Sequence, residues 1–249
     1  MKIILNILTH GDETVGLKVV KEIEKLNIDK DILTFQTANK KAFELKKRFV
    51  DQDLNQSFPG KKKGNHEQML AYSISPKIKK ADFVIDIHST TSNLKDALIV
   101  TKLDRATKKY IEAVKPRYVL VMKLGSDRAL ISQAKVGLAF EYGKNNDPEA
   151  LKKIVNDTKR IFYHAGVINT KPKEKKRVPK YFDVASKVDK PEGYKLLKKI
   201  RNYRIVRQGE VFAVKGNKTL VADEDFYPIL FGEKNYKDFF GFKGKIRNK

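Results

Sequence analysis

Apolar positions along the chain follow two periods. Ile3-Ile4-Leu5-Asn6-Ile7-Leu8 is a short run of the kind that fills a buried strand, and beyond it Val15, Val19, Val20, Ile23 and Leu26 recur at helical spacing. The alternation continues with a strand expected over 31–37, a short helix capped by Asn39 and reaching Lys47, and a helix from near His66 with Met69, Leu70 and Ile74 inward. An apolar run over 82–87 follows. Strands over 96–101 and 117–122 bracket a helix over 104–114, residues 136–140 form another strand, and Asp147-Pro148 opens a helix with Leu151, Ile154, Val155 and Phe162 inside. Strands and helices interleaved in this way predict an α/β fold, a mixed, largely parallel sheet flanked by helices, over residues 1–168.

Beyond 168 the pattern changes. Residues 171–179 are charged and punctuated by Pro172 and Pro179, which reads as a linker. Short strands expected over 203–207, 211–214 and 219–222, separated by Gln208-Gly209 and Lys215-Gly216-Asn217, predict a smaller C-terminal β domain over 169–249.

Three apolar runs end in chemistry. The first ends in His10-Gly11-Asp12-Glu13, the second in His88 and a cluster of small polar residues, the third in Glu141. In open α/β sheets ligands sit beyond the carboxyl ends of the strands. Singly, a histidine after a strand is more often a cap than a ligand. Jointly, His10, Glu13 and His88 make the three-ligand set of a catalytic zinc whose fourth position is left to water. Glu141 is then the unligated carboxylate that takes a proton from that water, and Arg48 the cation for the oxyanion. Taken alone, the segment 48–60 reads as a solvated turn.

Composition narrows the choice of ligands. There are no cysteines, so a metal must be held by His, Asp or Glu, and 41% hydrophobic residues over 249 positions are enough for a packed core. No run approaches membrane length, so no membrane partner is expected and the cytoplasm is the expected location. The net charge of +23 would favour nucleic acid, but the lysines are spread evenly and no recognition motif accompanies them. Nucleic acid is therefore not expected as a partner; a homo-oligomer is left open.

The motifs resemble those of the aspartoacylase/succinylglutamate desuccinylase family of the zinc carboxypeptidase superfamily. The resemblance rests on His10-Gly11-Asp12-Glu13, on Arg48 followed by Asp51-Gln52-Asp53-Leu54-Asn55, and on Asp86-Ile87-His88-Ser89-Thr90-Thr91-Ser92-Asn93. Phe140-Glu141-Tyr142-Gly143 and the segment from Phe226 to Tyr236 extend it along most of the chain. It implies a zinc-carboxypeptidase-like α/β domain capped by β structure, hydrolysing the amide of a small, anionic N-acyl amino acid. It further implies one Zn2+ per chain on His10, Glu13 and His88, with Glu141 as general base and Arg48 polarising the carbonyl. Asn55, Gln56, Tyr236 and Arg128 would meet the substrate. Family members usually carry arginine where this chain has Gln56, so the bidentate grip on a substrate carboxylate is lost and specificity is expected to move away from acetylaspartate-like dianions. Two other readings stand beside this one: a zinc carboxypeptidase acting on short peptides, and a basic nucleic-acid-binding protein with a vestigial metal site.

Overall fold

Most apolar runs of the first 165 residues become a strand or the inner stripe of a helix. The strands are β1 (Ile3–Ile7), β2 (Leu33–Thr37), β3 (Phe83–His88), β4 (Ala97–Val100), β5 (Tyr118–Met122) and β6 (Val136–Glu141). The helices are α1 (Val15–Glu24), α2 (Lys40–Glu44), α3 (His66–Lys80), α4 (Arg105–Val114) and α5 (Pro148–His164). This computed structural model describes residues 1–90, 96–232 and 236–247. Thr91, Ser92 and Asn93 of the third motif and residues 233–235 of the C-terminal segment lie outside the described residues.

Six further strands follow: β7 (Lys180–Asp189), β8 (Lys195–Leu196), β9 (Val211–Lys215), β10 (Lys218–Val221), β11 (Tyr227–Ile229) and β12 (Phe239–Ile246). The main sheet has nine strands in the order β11-β12-β7-β5-β4-β6-β3-β1-β2, and β10-β9-β8 form a small separate sheet. The pairings among β2, β1, β3 and β6 are parallel, β4 runs antiparallel to β6, and β11 and β12 close the far edge antiparallel. The C-terminal strands thus divide between an extension of the main sheet and a unit of their own.

Strand alternation decides which side chains meet which layer. Leu5, Ile7, Ile85, Ile87, Leu138 and Phe140 pack with Val19 and Ile23 of α1 and Ile154 and Phe162 of α5. Ile4, Val84 and Ala139 pack on the other face with Ala71 and Ile78 of α3. Asn6, Asp86, His88 and Glu141 continue this second face toward the carboxyl ends of their strands.

Two local expectations are corrected. Met69 is 45% exposed, and the buried stripe of α3 is Glu67, Ala71, Ser75 and Ile78, because the Glu67 carboxylate faces the 48–53 loop and sets the rotation of the helix. Residues 203–207 are a turn and irregular chain with a single bridge, Val206 to Phe226, and Tyr203 has a φ of +65° that a strand cannot hold. The 171–179 connection has no regular structure but is tied to the core. Lys175 lies 2.6 Å from Asp157, and Arg177 2.8 Å from Asp96.

Candidate metal centre and active site

Because β6, β3 and β1 are adjacent and parallel, their carboxyl ends open side by side, with His88 in register with Glu141. After β1 the chain turns at Leu8, whose φ of +56° lies in the left-handed region, and then at Gly11. A Cβ on Gly11 would come within 2.3 Å of the Phe43 nitrogen and 2.5 Å of the Lys47 oxygen, so only glycine lets this turn press against the end of α2. The Gly11 N–H donates to the Arg48 carbonyl at 2.9 Å, which joins the His10 turn to the Arg48 loop.

The two imidazoles then meet around one carboxylate. His10 Nδ1 lies 2.8 Å from Glu13 Oε1 and His88 Nδ1 lies 2.8 Å from Glu13 Oε2, with ring centroids 5.2 Å apart. His88 Nε2 is 2.8 Å from Asp86 Oδ2, and His10 Nε2 is 3.0 Å from Asp53 Oδ1. Arg48 Nη1 donates to Glu13 Oε1 at 2.7 Å. His10, Glu13 and His88 are all buried, and one donor atom from each lies within 4.8 Å of the others.

These contacts explain the charges. Burial opposes protonation of His10, but Glu13 and Asp53 outweigh it and bring the imidazole up to about 9. Asp86 and Glu13 likewise raise His88 against its burial. Glu13, which burial would push up, is held well below the usual carboxylate range by His10 and His88. Both Nδ1 atoms thus face one carboxylate, at the point a divalent cation would share with them. Each outward Nε2 is fixed by a carboxylate, the arrangement that orients metal-binding histidines. A divalent ion that prefers nitrogen and oxygen donors fits this set of two imidazoles and one carboxylate.

Glu141 is set apart from the three. Burial pushes it up to about 7, with His88 pulling it down and Glu13 pushing it further up. It lines a cavity of about 490 Å3 together with Glu13, Arg48, Asn145, Leu230 and Tyr236. Burial raises the Tyr236 hydroxyl well above its usual range, leaving it a neutral donor, and its ring stacks on Phe239 at 4.0 Å. Asn55 has its Oδ1 occupied by the Leu130 N–H at 3.0 Å. Both Asn55 and Gln56 line a second, smaller cavity of about 100 Å3 that Glu141 and His88 share. Arg128 is exposed and lines neither cavity.

Four residues escaped the sequence reading. Asp53 and Asp86 stand inside motifs but showed no role until their histidines were placed. Glu67 is wholly buried, and its carboxylate accepts N–H bonds from Val50, Asp51 and Gln52 at 2.7, 2.9 and 3.1 Å. The 48–60 segment is therefore a built scaffold, in contrast to the solvated turn expected from the segment alone. Asn145 ties three turns together, donating to Asp12 O at 2.8 Å and accepting from Ser89 Oγ at 2.7 Å and Val15 N at 3.1 Å. No local pattern distinguishes such an asparagine from a loop residue.

Comparison with known proteins gives a family model, the succinylglutamate desuccinylase/aspartoacylase catalytic domain, that matches residues 2–162. A probable aspartoacylase of Trichodesmium erythraeum (strain IMS101) is 31% identical over 131 residues, 43% of this chain and 43% of its own length. An N-acyl-aromatic-L-amino acid amidohydrolase (carboxylate-forming) of Xenopus laevis is 32% identical over 114 residues, 39% of this chain and 36% of its own length. The chain thus spans less than half the length of these two relatives. The crystal structure of murine aminoacylase 3 superposes with a TM-score of 0.81 at 16% identity, covering 99% of this chain and 95% of that one. Succinylglutamate desuccinylase from Vibrio cholerae gives 0.75 at 17% identity, covering 100% and 83%. At these identities the structures show the shared fold. Among the described residues no helix is long and apolar enough to cross a membrane.

Proposed function

The chain belongs to the succinylglutamate desuccinylase/aspartoacylase family, and from that membership we propose that it is a zinc-dependent amidohydrolase removing the acyl group from a small N-acyl amino acid. The observation that carries this reading is the convergence of His10, Glu13 and His88 on one point beside a half-buried Glu141 that stands outside the set. His10, Glu13 and His88 would hold one Zn2+ per chain. When bound, the ion supplies Lewis acidity, polarising a carbonyl and lowering the pKa of water to ~7.

The protein's own groups do the rest. Glu141, with an affinity for protons raised by burial to about 7, accepts one from the attacking water and returns it to the leaving nitrogen. The amide C–N bond breaks as the new C–O bond forms, and the products are a carboxylic acid and an amino acid. Arg48, whose guanidinium borders the cavity, faces the oxygen that becomes negative in the tetrahedral intermediate. Tyr236 stays protonated and offers a neutral hydrogen bond from the cavity wall. Asn55 and Gln56 border the space beyond Glu141 where the amino-acid part would lie. Residues 169–249 act as the cap, since Leu230 and Tyr236 come from them.

Metal analysis of the purified protein followed by a panel of N-acyl amino acids tests the reading. One zinc per chain and turnover lost in Glu141→Gln are expected. Full turnover without metal, or no turnover of any acyl amino acid with zinc bound, overturns it.

A further inference from the structure

Glu141 separates two spaces. The larger one is bordered by Arg48 and Tyr236, and the smaller one, about 100 Å3, lies on the side of Asn55 and Gln56 and also touches His88. Its apolar lining is Ile99, Met122, Leu124, Ala129, Ile131 and Ala139. No lysine or arginine is among the described residues that line it, while two carboxylates, Asp86 and Glu141, are. Asp86 is fully committed: its oxygens take His88 Nε2, Asn6 Nδ2 and Thr9 Oγ1, each within 2.8 Å.

The walls are fixed. Leu130 N–H is held by Asn55 Oδ1 at 3.0 Å, and Phe58 N–H donates to Arg128 O at 3.2 Å, which joins the 124–131 loop to the 53–58 segment. Gly125 sits at φ +61°, with Gln56 Oε1 3.1 Å from where its Cβ would be. Arg128 is exposed and is not itself a lining residue, but its Nη2 lies 3.4 Å from where a Gly125 Cβ would be, on the same side as Gln56.

Resting on the hydrolase reading above, we infer that this chamber receives the side chain of the substrate's amino acid, and that this side chain is neutral and aliphatic, of leucine or methionine size. Charge disfavours a second carboxylate, which would enter an apolar space beside two carboxylates, while the nearby cation, Arg128, is exposed to solvent and outside the lining. Size excludes a ring system: an apolar cavity that takes benzene holds ~150 Å3, half as large again as this one. Gln56 agrees with both, since a carboxamide offers hydrogen bonds to neutral groups but no charged clamp.

The test uses the zinc-loaded full chain and N-acetyl derivatives of leucine, methionine, alanine, tryptophan and aspartate. kcat/KM for leucine and methionine is expected to exceed that for alanine by roughly 60-fold, the value of burying three further apolar heavy atoms, and that for aspartate by roughly 100-fold or more. Leu124 is 40% exposed and tolerates a longer side chain, so Leu124→Arg is expected to fold and to lower the leucine-to-aspartate ratio by roughly tenfold or more. Preference for aspartate in the unaltered protein, or a ratio that Leu124→Arg does not move, overturns the inference and leaves the hydrolase reading standing. Calorimetry with free L-leucine and L-aspartate separates the two failures. If no acyl amino acid is turned over yet leucine binds, aspartate does not, and Leu124→Arg reverses the order, the hydrolase reading falls and the chamber assignment holds.

Discussion

Asp86 and His88 stand two residues apart on one face of β3, and the Asp86 carboxylate lies 2.8 Å from His88 Nε2. The period of two in a strand makes this pairing automatic once the strand ends at His88. It directs Nδ1, and not Nε2, toward Glu13 and the point shared with His10.

Replacing that carboxylate is the first prediction. Asp86→Asn keeps the shape but removes the negative charge that orients the ring and makes it more basic. Zinc affinity is expected to fall by roughly 10- to 100-fold, read by competition against a chelator. Unchanged affinity would mean that His88 does not bind metal through Nδ1.

Glu141 gives the sharpest contrast with the ligands. Glu141→Gln is expected to leave zinc bound, while kcat falls by roughly 100- to 10,000-fold, the usual worth of a positioned proton acceptor. His88→Ala should instead lose the metal, because it removes one donor of three. Metal content and turnover measured on both variants decide the assignment, and loss of zinc in Glu141→Gln would place Glu141 among the ligands.

The contrast also marks what can be read from sequence. His10, Glu13, His88 and Glu141 were legible because each follows a strong apolar run, and strands of that kind must lie parallel in the middle of a sheet, which brings their ends together. The partners Asp53, Glu67 and Asn145 were not, because their roles depend on segments 17 to 133 residues away meeting them. The same holds for β7 and β12. Lys180–Asp189 alternates weakly and carries four charges, yet it joins the sheet because β5 presents an unpaired edge. Met69 was misplaced for a related reason: apolar character alone set it inward, whereas the buried carboxylate of Glu67 set the actual face of α3.

Metal binding should appear in stability as well as in turnover. The ion binds only the folded arrangement, so zinc at about 1,000 times its dissociation constant is expected to stabilise the protein by ~4 kcal/mol. For a chain of this length that corresponds to a rise in Tm of roughly 8–16 °C, reversed by a chelator. A melting curve indifferent to zinc and chelator would count against a site of this kind. His88→Ala supplies the control, since its Tm should not respond to zinc.

Glu67 carries the last prediction. Its carboxylate is buried beneath the 48–53 loop, and besides the Val50, Asp51 and Gln52 N–H groups it accepts from Asn39 Nδ2 at 2.9 Å. Burial favours the neutral acid, but these donors outweigh it and hold the group below its usual value. A carboxyl whose affinity for protons is lower folded than unfolded contributes stability above the unfolded pKa of ~4.3 and loses it as the pH falls through the folded one. Glu67→Gln replaces one accepting oxygen with a donor that faces N–H groups, so at pH 7 it is expected to lower stability by roughly 3 kcal/mol. The difference from the unaltered protein should narrow as the pH drops below ~4, where the carboxyl itself takes up a proton. Urea unfolding at neutral and acid pH measures both quantities. A gap that widens toward acid would show that the Glu67 charge is not what holds Arg48 and Asp53 in place.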